Sequence, residues 1–137
     1  MFKDELLKGK RILVTGGGSG LGKEMTRHFL KYGAEVYICG RRESVLSDTA
    51  KELMDETGGK VNHFALDIRD SNSVDAAIED IFVDGPLDGL VNNAAGNFIS
   101  RTKDLSPNAF NAIASIVFHG TFYITNAVGR RWIELGH

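Results

Sequence analysis

Apolar residues in this chain fall into short runs separated by longer stretches in which they recur every three or four positions. Arg11 to Thr15 (RILVT), Glu35 to Cys39 (EVYIC), Val61 to Leu66 (VNHFAL) and Leu87 to Val91 (LDGLV) have strand length. Such near-continuous runs fit strands covered on both faces. Between them the pattern predicts helices from Gly20 to Tyr32, Glu43 to Thr57 and Ser71 to Phe82. In the third, Val74, Ala77, Ile78 and Ile81 share one face. Gly33 and the pair Gly58-Gly59 stand where helix-ending glycines belong. A loop then leads to Ser106-Pro107, a capping residue followed by proline in the first turn. The final helix runs to Leu135.

Strands alternating with helices imply βαβ units. The predicted fold is α/β, a Rossmann-type doubly wound parallel sheet reaching the fourth strand and its following helix, in one domain over residues 1–137. The last helix differs from the others. Phe110, Ile113, Ile116, Phe118, Phe122, Ile124, Val128 and Trp132 leave little of its circumference polar, so it should be buried on two sides. The sheet supplies one cover; a second subunit is the expected other, making the protein a homo-oligomer through this helix.

Composition removes several function classes. A net charge of −2 over 137 residues gives no electrostatic grip on nucleic acid or an anionic membrane. No uninterrupted apolar run reaches the roughly 20 residues that span a bilayer, and the start, Met1-Phe2-Lys3-Asp4-Glu5, lacks the apolar core of a signal peptide. Cys39 is the only cysteine, which excludes an internal disulfide and suits a reducing compartment, here read as the cytoplasm. The four histidines (His28, His63, His119 and His137) have no metal-ligand spacing, so no metal is expected. Acids scattered through the third helix read as a solvated face.

The chemistry concentrates in Thr15-Gly16-Gly17-Gly18-Ser19-Gly20-Leu21-Gly22, which leaves a strand and opens a helix. Glycines there let the backbone approach a pyrophosphate and let helix and strand pack closely. The helix N-terminus offers free N–H groups and a partial positive charge. The expected cofactor contacts in this loop are Gly16, Gly18, Ser19, Gly20 and Leu21.

The spacing resembles the TGxxxGxG motif of the short-chain dehydrogenase/reductase family, with Gly16, Gly20 and Gly22 at its fixed glycines. Asn92-Asn93-Ala94-Ala95-Gly96, just after the fourth strand, is similar to that family's NNAG motif. The resemblance implies that Asn93 steadies the sheet and the adenine-ribose side of the cofactor, while Ala94, Ala95 and Gly96 line its pocket. It also implies that Asp67, with Ile68 beside it, holds the adenine amino group. The end of the second strand separates NAD from NADP. An NAD site needs an acid about 20 residues past the glycine loop; this chain has Cys39-Gly40-Arg41-Arg42. A guanidinium suits a 2′-phosphate, so NADP(H) is expected, held by Arg41 with help from Ser19.

The stretch NNAAGNFISRTKDLSPNAFNAIASIVFHG, Asn92 to Gly120, narrows the resemblance. Most family members carry an Asn three residues before the glycine of the last helix; here Val117 stands there. The extended NNAAGNF form, the SPNAF helix start and Ile116-Val117 resemble the 2,4-dienoyl-CoA reductases of fatty-acid β-oxidation. That resemblance implies a small-molecule substrate, an acyl-CoA thioester. Asn97 would bind the thioester carbonyl and the dienolate it becomes, and Phe98 would line the acyl pocket. Donors fixed at an oxygen that gains charge are an effective catalytic device. A keto-reductase or alcohol dehydrogenase of the same family, a nucleotide-binding module without catalysis, and an adenosylmethionine-dependent transferase remain open. The transferase would want an acid near the end of the second strand.

The family's proton donor is a Tyr with a Lys four positions later. Tyr32, Tyr37 and Tyr123 are followed at that distance by Val36, Arg41 and Ala127. The family pattern would enter a fifth strand near Gly136-His137, so the chain is expected to be the N-terminal part of a longer protein. Negligible turnover is expected from these residues alone.

Overall fold

The computed structural model describes residues 3–137. Four parallel strands, β1 (Arg11–Thr15), β2 (Glu35–Gly40), β3 (Val61–Ala65) and β4 (Gly89–Val91), form one sheet in the order β3-β2-β1-β4. Leu13 pairs with Tyr37 on one side and with Leu90 on the other. Helices α1 (Gly20–Lys31), α2 (Glu43–Thr57) and α3 (Ser71–Val83) make the crossovers. After β4 come a single 3₁₀ turn (Thr102–Asp104), α4 (Pro107–Ala114), a π-helical segment (Ser115–Gly120) and α5 (Thr121–Leu135).

The alternation of side chains along a strand divides the core into two layers. Ile12, Val14, Val36 and Ile38 meet Leu30 of α1 and Leu46, Ala50 and Leu53 of α2. Leu13, Tyr37 and Cys39 turn the other way, onto Val74, Ile78 and Ile81 of α3 and Ile124, Ala127 and Val128 of α5. β1 and β2 are therefore buried on both faces, as their apolar runs imply, whereas the outer strands β3 and β4 are only partly covered.

Helix ends follow local chemistry. Asp70 caps α3, its carboxylate accepting from the Asn72 and Ser73 amides, and the Ser106 hydroxyl caps α4 by accepting from Ala109. Gly33 and Gly58 take the left-handed conformation after α1 and α2, where a side chain would be strained. β4 is shorter than its apolar run. Asp88 uses its amide on the Arg11 carbonyl and its carboxylate on the Arg11 amide, so the regular ladder begins only at Gly89.

The last helix shows two departures from the sequence reading. It is interrupted by the π segment. It is also long and apolar enough, by length and composition, to cross a membrane, with 29 residues from Pro107 to Leu135. Inspection for continuous apolar runs misses this because Asn, Ser, His and Thr are interspersed. The helix is docked on the sheet through Ile124, Ala127 and Val128. Asp75 of α3 adds ion pairs to Arg130 and Arg131 at 2.7 and 2.8 Å. That acid is consequently a clamp rather than part of a solvated face. Within the single chain Phe110, Val117, Phe118, Phe122 and Ile133 are exposed, on the side the sequence reading leaves to a second subunit.

Candidate functional site

At the C-terminal ends of the strands the glycine loop, the β2–α2 turn, the segment after β3 and the segment after β4 converge. In parallel sheets this is where crevices form. Together they enclose a cleft of about 470 Å³, within the ordinary range for small-molecule sites. Gly16, Gly18, Ser19 and Leu21 line it from the loop, Arg41 from the β2 end, Asp67 and Ile68 from beyond β3, and Asn93, Ala94 and Ala95 from beyond β4. The structure thus brings together ten of the fourteen residues singled out from the sequence. Gly20 begins α1 outside the lining, and Gly96 packs behind it against Ile116. Asn97 and Phe98 lie on the exposed segment past Gly96, with Phe98 60% exposed.

One hydroxyl organises the junction of β1 and β4. Thr15, almost fully buried, accepts from the Asn93 and Ala94 amides at 3.0 and 2.9 Å. The Asn93 side-chain amide donates back to the Thr15 and Gly16 carbonyls at 3.0 and 3.2 Å. Gly16 sits at φ +67°, and a Cβ there would come within 3.0 Å of Ala94 Cα. The constraint is tighter at Gly22, where a Cβ would stand 2.3 Å from the Gly16 carbonyl oxygen and 2.6 Å from Asn93 Nδ2. The two motifs are packed backbone against backbone.

The electrostatics favour an anion. Ser19 holds the capping position of α1 without using its side chain as a cap, and the first turn of that helix carries no acid. Its positive end is therefore not neutralised from within. Arg41 is exposed and has no hydrogen bond or ion pair among the described residues, in contrast to Arg27, which pairs with Glu24, Glu52 and Glu56. Among the described residues no carboxylate belongs to the β2 end of the cleft, and the one acid in the lining is Asp67. Glycines that exclude side chains, a bare helix N-terminus and an unpaired guanidinium suit a phosphorylated nucleotide.

The hydrogen-bonded Arg69 guanidinium pulls the Asp67 carboxyl down to about 2, with the charge of Arg41 adding to the effect. A depressed acid adds stability in full above its ordinary value of 3.8 and loses it as pH falls toward about 2. Arg69→Ala is expected to return the Asp67 midpoint toward the ordinary range, as read by NMR of the carboxyl carbon. An unchanged midpoint would assign the depression to another group. Cys39 also lines the cleft, but burial pushes its thiol up to about 12, which leaves it unreactive.

Several lining residues were not among the cofactor contacts expected from the sequence: Gly40, Arg42, Val45, Leu46, Leu66 and Ile116. Val45 and Leu46 fall on the face of α2 turned to the loop, a placement its helical periodicity could have suggested. Ile116 reaches the cleft from the π segment, which no local signal announces.

The chain belongs to the short-chain dehydrogenases: the family model described as short chain dehydrogenase matches residues 10–136. It is 46% identical over 137 residues to a Caenorhabditis elegans protein named probable 2,4-dienoyl-CoA reductase 3, covering 98% of this chain and 44% of that one. A crystal structure of a Bacillus anthracis short chain dehydrogenase superposes with a TM-score of 0.86 at 41% identity, over 93% of this chain and 53% of that one. A short chain dehydrogenase of Escherichia coli CFT073 complexed with NADPH matches with a TM-score of 0.86 at 31% identity, over 92% and 54%. The chain spans about half the length of the proteins it matches.

Proposed function

We propose that this chain is the NADP(H)-binding domain of a reductase acting on 2,4-dienoyl-CoA or a related acyl thioester. The observation that carries the cofactor reading is the unpaired Arg41 at the β2 end of the cleft, where no carboxylate follows the strand. An NAD site would place a carboxylate there to accept from the ribose 2′-hydroxyl. Arg41 instead offers a planar fork of donors to a 2′-phosphate, with Ser19 beside it. The open N-terminus of α1 and the loop of Gly16 to Leu21 hold the pyrophosphate. Asp67 accepts from the adenine amino group, Ile68 packs by it, and Asn93, Ala94 and Ala95 line the ribose side with Gly96 behind them. A bound nicotinamide supplies the hydride.

The substrate reading rests on the NNAAGNF sequence together with relatives named 2,4-dienoyl-CoA reductase at 40–46% identity. Asn97 donates a hydrogen bond to the thioester oxygen, where negative charge collects as hydride adds to the conjugated chain. The open ring of Phe98 covers the acyl group. The described residues hold the nucleotide and the thioester oxygen. They offer no Tyr–Lys pair to deliver the proton, so turnover by these residues alone is not expected. The exposed stripe of Phe110, Val117, Phe118 and Phe122 is the surface through which copies associate. The lone buried cysteine suits the cytoplasm.

The test is a fluorescence titration of the purified chain with NADPH and, separately, with NADH. NADPH is expected to bind at least about tenfold more tightly, the discrimination one charged hydrogen-bonding partner provides. Equal affinities would overturn the cofactor reading.

A further inference from the structure

The structure assigns Thr49 of α2 a positioning role in cofactor selection, an inference that rests on the NADP(H) reading above. Thr49 is only 5% exposed and does not line the cleft. Its hydroxyl donates to the carbonyl oxygen of Gly18 at 2.8 Å, across 31 residues of sequence. That bond draws the Gly18 carbonyl toward α2. The chain has no cis peptide bond among its described residues. In a trans peptide the carbonyl and the following N–H point in opposite directions. The Ser19 N–H is therefore turned away from α2. Neither this N–H nor the Ser19 hydroxyl has a partner among the described residues, and Ser19 lines the cleft.

The same helix grips the loop by packing. A Cβ at Gly18 would lie 3.2 Å from Leu46 Cδ2 and 3.4 Å from Val45 Cγ1. Arg41 lies two residues before the first residue of α2. One helix thus carries both halves of the proposed 2′-phosphate site. Arg41 leads into it directly, and Ser19 is set through the Thr49–Gly18 bond. Without the bond, the Gly18–Ser19 peptide is free to rotate, because glycine imposes little restraint on it. The Ser19 donors then lose their fixed direction. Arg41 keeps its charge but works without a second, oriented partner. The penalty falls on the nucleotide with the 2′-phosphate, and NADH, which lacks that group, is spared.

Dissociation constants of NADPH and NADH, measured by fluorescence for the wild-type chain, Thr49→Val and Thr49→Ser, test this. Thr49→Val keeps the shape and removes the donor. It is expected to weaken NADPH about tenfold and to leave NADH within about twofold, the size of one lost bond to a charged group. Thr49→Ser retains the donor and is expected to keep the wild-type ratio. If Thr49→Val does not fold, Thr49→Cys against Thr49→Ser repeats the comparison at nearly matched volume, since a thiol is a weak donor. Equal weakening of both nucleotides, no change in either, or a loss of selectivity in Thr49→Ser would overturn the positioning role. In each of those cases a discriminating wild type leaves the NADP(H) reading standing. A wild-type chain that binds both nucleotides alike removes that reading itself, and the role of Thr49 with it.

Discussion

Gly22→Ala is expected to destabilise the chain by about 3 kcal/mol, lowering its melting temperature by roughly 10 °C, and to abolish nucleotide binding. In most helices this substitution helps, because alanine is the best helix former and glycine among the poorest. Here the added methyl would stand 2.3 Å from the carbonyl oxygen of Gly16 and 2.6 Å from Asn93 Nδ2. Neither neighbour can yield cheaply. The Gly16 carbonyl belongs to the loop backbone, and the Asn93 amide is held by two carbonyls. Relief requires α1 to move off the end of β1, which opens the cleft and displaces the helix N-terminus. Differential scanning calorimetry and an NADPH titration read the two consequences. A stabilised Gly22→Ala protein would show that helix and strand approach less closely than described.

The second large effect is expected at Thr15. Thr15→Val preserves shape but removes the oxygen that accepts from the Asn93 and Ala94 amides. Asn93 has an alternative in the Val91 carbonyl at 3.1 Å, whereas Ala94 has none among the described residues. One part-buried donor is left unsatisfied, which costs about 2 kcal/mol and lowers the melting temperature by roughly 6 to 8 °C. Nucleotide affinity should fall with it, because Ala94 and Ala95 line the cleft. Thr15→Ser, which keeps the hydroxyl, should restore most of the loss. A Thr15→Val protein as stable as wild type, with the loss confined to Thr15→Ser, would locate the contribution of Thr15 in its methyl group.

Much of this architecture was legible in the sequence because strands covered on both faces read as short continuous apolar runs, distinct from the 3.6-residue period of the helices. The β1 and β2 runs alternate cleanly between the two layers, so Ile12 and Val14 pack against α1 and α2 while Leu13 packs against α3 and α5. The cleft was legible because its walls are backbone. Where a chain must come close to a ligand, glycine and alanine at fixed offsets show the need directly, as in Gly16 to Gly22 and Asn93 to Gly96. What was hidden depends on tertiary geometry. Thr49 serves the loop from 31 residues away, and a threonine inside an amphipathic helix carries no mark of its partner. The π segment was equally silent, since its sequence, SIVFHG, reads as ordinary helix. Asp75 looked solvated because its partners Arg130 and Arg131 come 55 and 56 residues later. The boundary of β4 shifted because the Asp88 carboxylate captures the Arg11 amide.

In the proposed site the charge at the end of β2 selects a 2′-phosphorylated nicotinamide nucleotide. Arg41→Asp tests it most directly, with NADPH and NADH dissociation constants measured side by side against wild type. The substitution replaces an unpaired cation with the acid an NAD site requires. NADPH should weaken about a hundredfold, from lost attraction and added repulsion, while NADH should bind as well as before or more tightly. A variant that keeps its NADPH preference would place the selecting group elsewhere in the cleft.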